Sequence, residues 1–190
     1  MEEQLNFEFC NLEKKSTEER LSELIVQTKD KDEFFMRTVY SVANLSKDPR
    51  TKIGAVLVKD NNIISCGYNN FPRKVLDLKA RYENKETKYK FICHAESNSI
   101  LNAARAGIST DNSILFTQGC PCQECCKSLI QAGVSKIVIH KQWPNLTHSA
   151  QWVESIECSK IMIQEAEIDI KWLDKVLSIK GFLDGKEIDV

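Results

Sequence analysis

Four side chains are spaced to do chemistry together: His94 and Glu96 in Phe91-Ile92-Cys93-His94-Ala95-Glu96, and Cys122 and Cys125 in Pro121-Cys122-Gln123-Glu124-Cys125. Imidazole and thiolate are zinc donors. A structural zinc site closes its tetrahedron with four side chains, whereas a catalytic one uses three and keeps a corner open. His94, Cys122 and Cys125 make three, and no second His or Cys pair stands at finger-like or ribbon-like spacing. The count therefore favours catalysis. Glu96 is then a carboxylate left over to face a water whose pKa the metal lowers towards roughly 7, placed to take its proton and hand it on. A lone Cys-x-x-Cys is equally a redox pair or half a structural site, and a lone His-x-Glu is common by chance. The pairing of the two in this order carries the reading.

These residues need elements that bring them together. Cys122 and Cys125 are three apart and share a face on a helix, and Pro121 suits a first helical position. Both thiols then sit at a helix N-terminus, where the macrodipole favours thiolate. His94 and Glu96 are two apart, which on a regular helix sends them to nearly opposite sides. They converge only in a first turn, ahead of the apolar run Ile100, Leu101, Ala103, Ala104. From His94 onward the pattern alternates helix, strand (113–117), helix (122–133), strand (136–139), helix (149–165), strand (168–172). Such alternation implies crossover connections and a sheet sandwiched by helices.

Upstream, Ser16-Thr17-Glu18-Glu19 resembles a capping box opening a short helix. A second helix is expected over 32–46, with Phe35, Val39, Val42 and Ala43 buried and Asp48-Pro49 stopping it. Two antiparallel strands, 53–58 and 63–66, flank a hairpin turn at Lys59-Asp60-Asn61-Asn62. A polar connection is expected from Gly67 to about Tyr89, and residues 176–190 are left as an unplaced tail. The whole reads as one domain over 1–190: an N-terminal helical segment (1–47), a catalytic core (48–172) and a C-terminal tail (173–190).

Charge and composition exclude several partners. With 26 basic and 27 acidic residues the net charge is −1, so nothing draws the chain to a polynucleotide, and a small substrate is expected. The acidic start Met1-Glu2-Glu3 reads as no signal peptide, and no apolar run is long enough to span a bilayer. A cytoplasmic protein with its eight cysteines reduced is the expectation.

His-x-Glu followed by Pro-Cys-x-x-Cys is the general signature of zinc-dependent nucleobase deaminases. Further stretches narrow it: Asp48-Pro49-Arg50-Thr51-Lys52-Ile53-Gly54-Ala55, Gly67-Tyr68-Asn69, Arg81-Tyr82-Glu83-Asn84-Lys85 and Ile130-Gln131-Ala132-Gly133-Val134. From residue 48 to 170 the chain resembles the deoxycytidylate (dCMP) deaminases of the cytidine-deaminase-like superfamily. The resemblance implies an α/β fold, a three-layer αβα sandwich with a central mixed sheet of about five strands. It implies hydrolysis of dCMP to dUMP and ammonia, one zinc per chain on His94, Cys122 and Cys125, and Glu96 as proton shuttle. It also implies a homo-oligomer, and magnesium only where a nucleotide effector binds.

For the substrate, the resemblance points Asn69 at the sugar, and an amide can both donate to and accept from a hydroxyl. Residues 73–90 hold seven cations against three acids, so a phosphate subsite is expected there. Arg81 is its first candidate and Lys88 its second. A solvated basic loop is the plain alternative. Phe91, like Phe71, either stacks on the base or packs in the core, and Glu124 between the paired cysteines is grouped with the substrate residues. Three features depart from the family pattern. Asn70 and Lys74 stand where a glycine-rich effector loop is usual, Cys120 and Cys126 flank the ligand pair, and both termini lie outside the resemblance. A deaminase of another cytosine compound (modified dCMP, dCTP or deoxycytidine) and a non-catalytic zinc-stabilised module remain the alternatives.

Overall fold

The computed structural model describes residues 30–144 and 150–190; the capping-box helix expected near residue 16 lies outside them. Residues 31–190 form one compact unit. Its centre is a five-stranded sheet in the order β2-β1-β3-β4-β5. The strands are β1 (Gly54–Lys59), β2 (Asn62–Tyr68), β3 (Ser113–Thr117), β4 (Val134–His140) and β5 (Asp169–Leu173). β1 runs antiparallel to both β2 and β3, while β3, β4 and β5 are parallel. The sheet is therefore mixed and five-stranded, as the resemblance implies.

Alternation along the strands makes the two faces. Val56 and Val58 of β1, Phe116 of β3 and Val138 of β4 join one buried cluster with Phe35, Met36, Val39 and Tyr40. Those four residues lie on α1 (Lys31–Ala43). Ala55, Leu57, Leu115, Ile137 and Ile139 point the other way. They meet α4 (Ala95–Ala106), α5 (Gln123–Gln131) and α6 (Ala150–Glu165) through Ala95, Cys126, Leu129 and Ile163. Each fully buried aliphatic side chain contributes about 1.5–3 kcal/mol of transfer free energy. The two clusters are what hold the three layers together.

The elements expected from sequence appear with shifted ends. The helix expected over 32–46 is α1, ending at Ala43, and the hairpin turns on Asp60 and Asn61, whose φ values of 51° and 60° are those of a two-residue type I′ turn. Three expectations are corrected. Gly67 and Tyr68 belong to β2, and the connection after it is not a plain loop: it folds into α2 (Lys79–Glu83) and α3 (Lys85–Phe91), the latter capped by the Asn84 side chain accepting from the Thr87 amide. Pro121 is not the first helical residue, because Cys122 takes the N-cap and Pro121 precedes it. The tail is placed: β6 (Lys180–Leu183) and β7 (Lys186–Asp189) form a hairpin. Its Leu183, with Leu177 and Val190, closes the α1 face, so packing runs on across residues 47 and 172.

Close packing fixes where α4 begins. A Cβ on Gly67 would lie 2.3 Å from the Ala95 carbonyl oxygen, so β2 and α4 meet backbone to backbone there. Glycine is required at that point for lack of space.

Candidate active site

The carboxyl ends of parallel strands are where open α/β sheets bind ligands, because the following helices present their N-termini there. β3 ends at Thr117, and Gln118-Gly119-Cys120-Pro121 leads directly into α5. Gln118 is fully buried and accepts from the Gly54 amide at 2.7 Å, tying this turn to β1. His94 is the N-cap of α4 and Cys122 the N-cap of α5, both with extended backbone (ψ 157° and 166°). That extended N-cap is why His94 and Glu96 converge: the chain has not yet begun its helical turn at His94. A pair of backbone hydrogen bonds between Asn70 and Cys93 holds the approach to His94 in place.

The Nδ1 of His94 lies 3.3 Å from the Cys122 Sγ and 3.4 Å from the Cys125 Sγ. All three donor atoms lie within 4.8 Å of one another. Tetrahedral zinc with Zn–N of about 2.0 Å and Zn–S of about 2.3 Å sets such nitrogen and sulfur ligands about 3.5 Å apart. The trio therefore fits the ion. Neither flanking cysteine joins it: Cys126 is buried on the α6 side with its thiol 3.6 Å from the Ser159 carbonyl, and Cys120 lines the neighbouring cavity wall.

Electrostatics inside the cluster point the same way. The hydrogen bond from Cys125 is the largest influence on Cys122; with His94 beside it and against the cost of burial, it holds the Cys122 thiol down at about 4. Cys125, sharing that proton and buried, is pushed up. Burial works against the His94 imidazolium, yet the bond to Cys122 and the charges of Glu96 and Cys122 raise it to about 9. A thiol held down in this way favours the thiolate, the form that binds metal. Glu96 is 6% exposed, with Oε2 3.7 Å from the Cys125 Sγ. Burial holds its carboxyl above the usual range, with the His94 charge opposing. A carboxyl so raised is better matched to accepting and giving back a proton near neutral pH.

Beside the cluster is a cavity of about 350 Å³ whose wall includes Glu96, His94 and Cys122 together with Arg50, Lys85 and Lys88. The sequence candidates divide over it. Lys88 lines it, buried, with its ammonium 2.9 Å from the Asp48 carboxylate, which also accepts from the backbone of Arg50 and Thr51. Asn69 lines it too, although its amide is engaged with the Ile53 nitrogen, the Thr51 oxygen and Asp48, bracing the 48–53 turn. Arg81 and Phe91 stand outside the lining: the guanidinium lies over the Phe91 ring at 4.6 Å and donates to the Leu76 carbonyl. Phe91 in turn packs against Phe71, which stacks on Tyr82. Glu124 points to solvent and pairs with Lys127 at 2.7 Å. Sequence reasoning missed Trp143 and Trp152 in the wall, the latter stacked 6.0 Å from His94. It also gave Arg50 no role, although Arg50 is the cation directly after Asp48-Pro49.

A mixed five-stranded sheet bearing a His/Cys/Cys cluster with a spare buried carboxylate defines the class, a zinc-site deaminase of the cytidine-deaminase-like kind. Residues 29–141, more than half the chain, match the family described as the cytidine and deoxycytidylate deaminase zinc-binding region. The chain belongs to that family. It is 34% identical over 139 residues to an uncharacterized deaminase of Aliivibrio fischeri, covering 73% of this chain and 90% of that one. It is 37% identical over 112 residues to the deoxycytidylate deaminase of Homo sapiens, covering 56% of this chain and 62% of that one. The chain thus spans about six-tenths of the human protein's length. Among solved structures it resembles the dCMP deaminase of cyanophage S-TIM5 in complex with dCMP and dUMP, with a TM-score of 0.60 and 26% identity, over 77% of this chain and all of that one.

Proposed function

We propose that this chain removes the 4-amino group of dCMP by hydrolysis, giving dUMP and ammonia. The observation that carries the proposal is the single cavity in which the His94, Cys122 and Glu96 side chains share one wall with Arg50, Lys85 and Lys88. A pyrimidine that presents C4 to the cluster has its 5′-phosphate left to meet those cations. The volume of about 350 Å³ falls in the range of small-ligand sites, roughly 300–1,000 Å³.

When bound, zinc lowers the pKa of a water at its open position and so supplies a nucleophile near neutral pH. His94, Cys122 and Cys125 would hold it. Glu96 takes the proton released from the water as the oxygen bonds to C4, and delivers it to the ring nitrogen N3. The remaining hydroxyl proton then passes by the same carboxylate to the 4-amino group, so that the C4–N4 bond breaks and ammonia leaves. Atoms balance: dCMP and water give dUMP and ammonia. Asn69 and Asp48 support Lys88 and the 48–53 turn, so their part is to hold the cations and the sugar end in register. Arg81 braces Phe91 from outside, and Glu124 faces solvent.

Magnesium enters this reading only where a nucleotide effector binds. Asn70 is committed to Cys93 through its backbone and to Tyr82 through its side chain, and Lys74 adopts a left-handed backbone, φ 69°. Assembly into a homo-oligomer is carried forward as an expectation, supported by the exposed Val153 and Ile161 of α6 and Trp172 of β5. No helix among the described residues is long and apolar enough to cross a membrane. Cytoplasmic placement goes with a nucleotide substrate.

The test is ammonia release from dCMP against deoxycytidine. Two charge-assisted hydrogen bonds lost with the phosphate lower kcat/KM on the order of a hundredfold. Equal turnover of the two would remove the phosphate from the recognition scheme, and ammonia from neither would remove the activity.

A further inference from the structure

Ser97 is the third residue of α4 and Cys125 the third of α5. The Ser97 hydroxyl oxygen lies 3.4 Å from the Cys125 Sγ, a hydrogen-bonding separation for an atom as large as sulfur. Serine hydroxyls inside helices ordinarily bond back to a carbonyl three or four residues earlier. Ser41, Ser99, Ser128 and Ser159 all do so here. Ser97 instead reaches across to the neighbouring helix, and its partner there is a sulfur of the ligand trio.

Metal binding fixes the direction of that bond. A thiol and a hydroxyl could each donate, but cysteine binds zinc as the thiolate and then has no proton to give. Two other side chains stand at the same sulfur, His94 through Nδ1 at 3.4 Å and Glu96 through Oε2 at 3.7 Å. A ligating imidazole nitrogen turns its lone pair to the ion, and an ionised carboxylate only accepts. Among the described side chains the Ser97 hydroxyl is then the donor left to Cys125. A donor on a thiolate draws charge from the sulfur and orients it, and partners of this kind tune how a metal is held.

We propose that Ser97 is a positioning residue of the metal centre: its hydroxyl donates to the Cys125 thiolate, turning that sulfur toward the ion and relieving part of its charge. The proposal rests on the zinc reading of His94, Cys122 and Cys125 and deepens it. Ser97 is not in the wall of the active-site cavity, so its loss is felt first in metal binding and not in contact with substrate.

The experiment compares the wild-type protein with Ser97→Ala and Ser97→Thr, each loaded with zinc and, separately, with cobalt(II). Zinc is d¹⁰ and spectroscopically silent, whereas cobalt in its place shows a sulfur-to-metal charge-transfer band. Ser97→Ala should hold zinc about tenfold more weakly against a competing chelator, the low end of what such partners contribute, with the thermal midpoint of the metal-free protein unchanged. Its cobalt band should move to longer wavelength, because a thiolate without the hydrogen bond gives up charge more easily. Ser97→Thr keeps a hydroxyl and should restore both. Wild-type zinc affinity in Ser97→Ala overturns the inference, and so does a weakened affinity with the cobalt band unmoved, which would make Ser97 a packing residue only. Should Ser97→Ala not fold, Ser97→Thr and Ser97→Val, alike in shape, answer in its place: the same difference is expected between them, and no difference overturns the inference. A wild-type protein that takes up no zinc overturns it together with the metal reading. Neither readout uses turnover, so failure of this inference and failure of the dCMP reading are separate results.

Discussion

Glu96→Gln is expected to retain its zinc and its fold and to lose roughly 10²–10⁴-fold in kcat, the range that positioned acid–base catalysis contributes. Glutamine keeps the shape of the side chain and a hydrogen-bonding carbonyl, and it gives up only the capacity to accept a proton. Glu96 is buried close to the ligand trio without belonging to it, and among the described residues its carboxylate has one hydrogen-bond partner, the Cys125 thiol at 3.7 Å, so the fold does not depend on its charge. Metal content, thermal midpoint and ammonia release measured on one preparation decide it. Retained turnover refutes the assigned role; loss of zinc alongside activity turns Glu96 into a ligand and closes the open corner.

His94→Ala is expected to fail earlier, at metal binding. Removing one of three protein ligands leaves Cys122 and Cys125 with neither the imidazole nor its charge, and zinc content should fall well below one per chain with ammonia release at background. Because His94 caps α4 through its backbone and the layers are held by two apolar clusters, the fold itself should survive in large part. A variant holding full zinc and measurable turnover would show that a different residue completes the site. Elemental analysis beside the activity assay separates these outcomes. Zinc uptake should also weaken as pH falls: ligands must bind metal deprotonated, and His94, raised to about 9, keeps its proton through neutral pH until the ion displaces it.

The site's centre is legible in the sequence because it is local. His94 with Glu96 and Cys122 with Cys125 are each set by one helix N-terminus, and the sequence rules for such N-termini are short-range. The alternation of strands and helices after residue 94 is legible for the same reason. What escapes is decided across the sheet. Counting cations in 73–90 marks a basic segment but cannot say which of them turn inward: α3 delivers Lys85 and Lys88 to the cavity, while Arg81 on α2 turns to Leu76 and Phe91. Arg50 reaches the cavity by the Asp48 turn, a long-range matter that no local pattern encodes. The C-terminal hairpin turns on Asp184-Gly185, with φ values of 51° and 79°, a recognised turn pair, but its four-residue strands carry too few alternating positions to stand out. The helices α2 and α3 are likewise too short to show a period. Trp143 gives no local signal at all, since its place in the cavity wall depends on what lies across from it.

The claim beneath all of this is a zinc held by one nitrogen and two sulfurs of the protein, with a corner left over. X-ray absorption at the zinc edge of the loaded enzyme reads it directly. The account predicts two sulfur neighbours at about 2.3 Å and two lighter neighbours at about 2.0 Å. Three or four sulfurs, with Cys120 or Cys126 drawn in, would make the site a closed structural one and contradict the account.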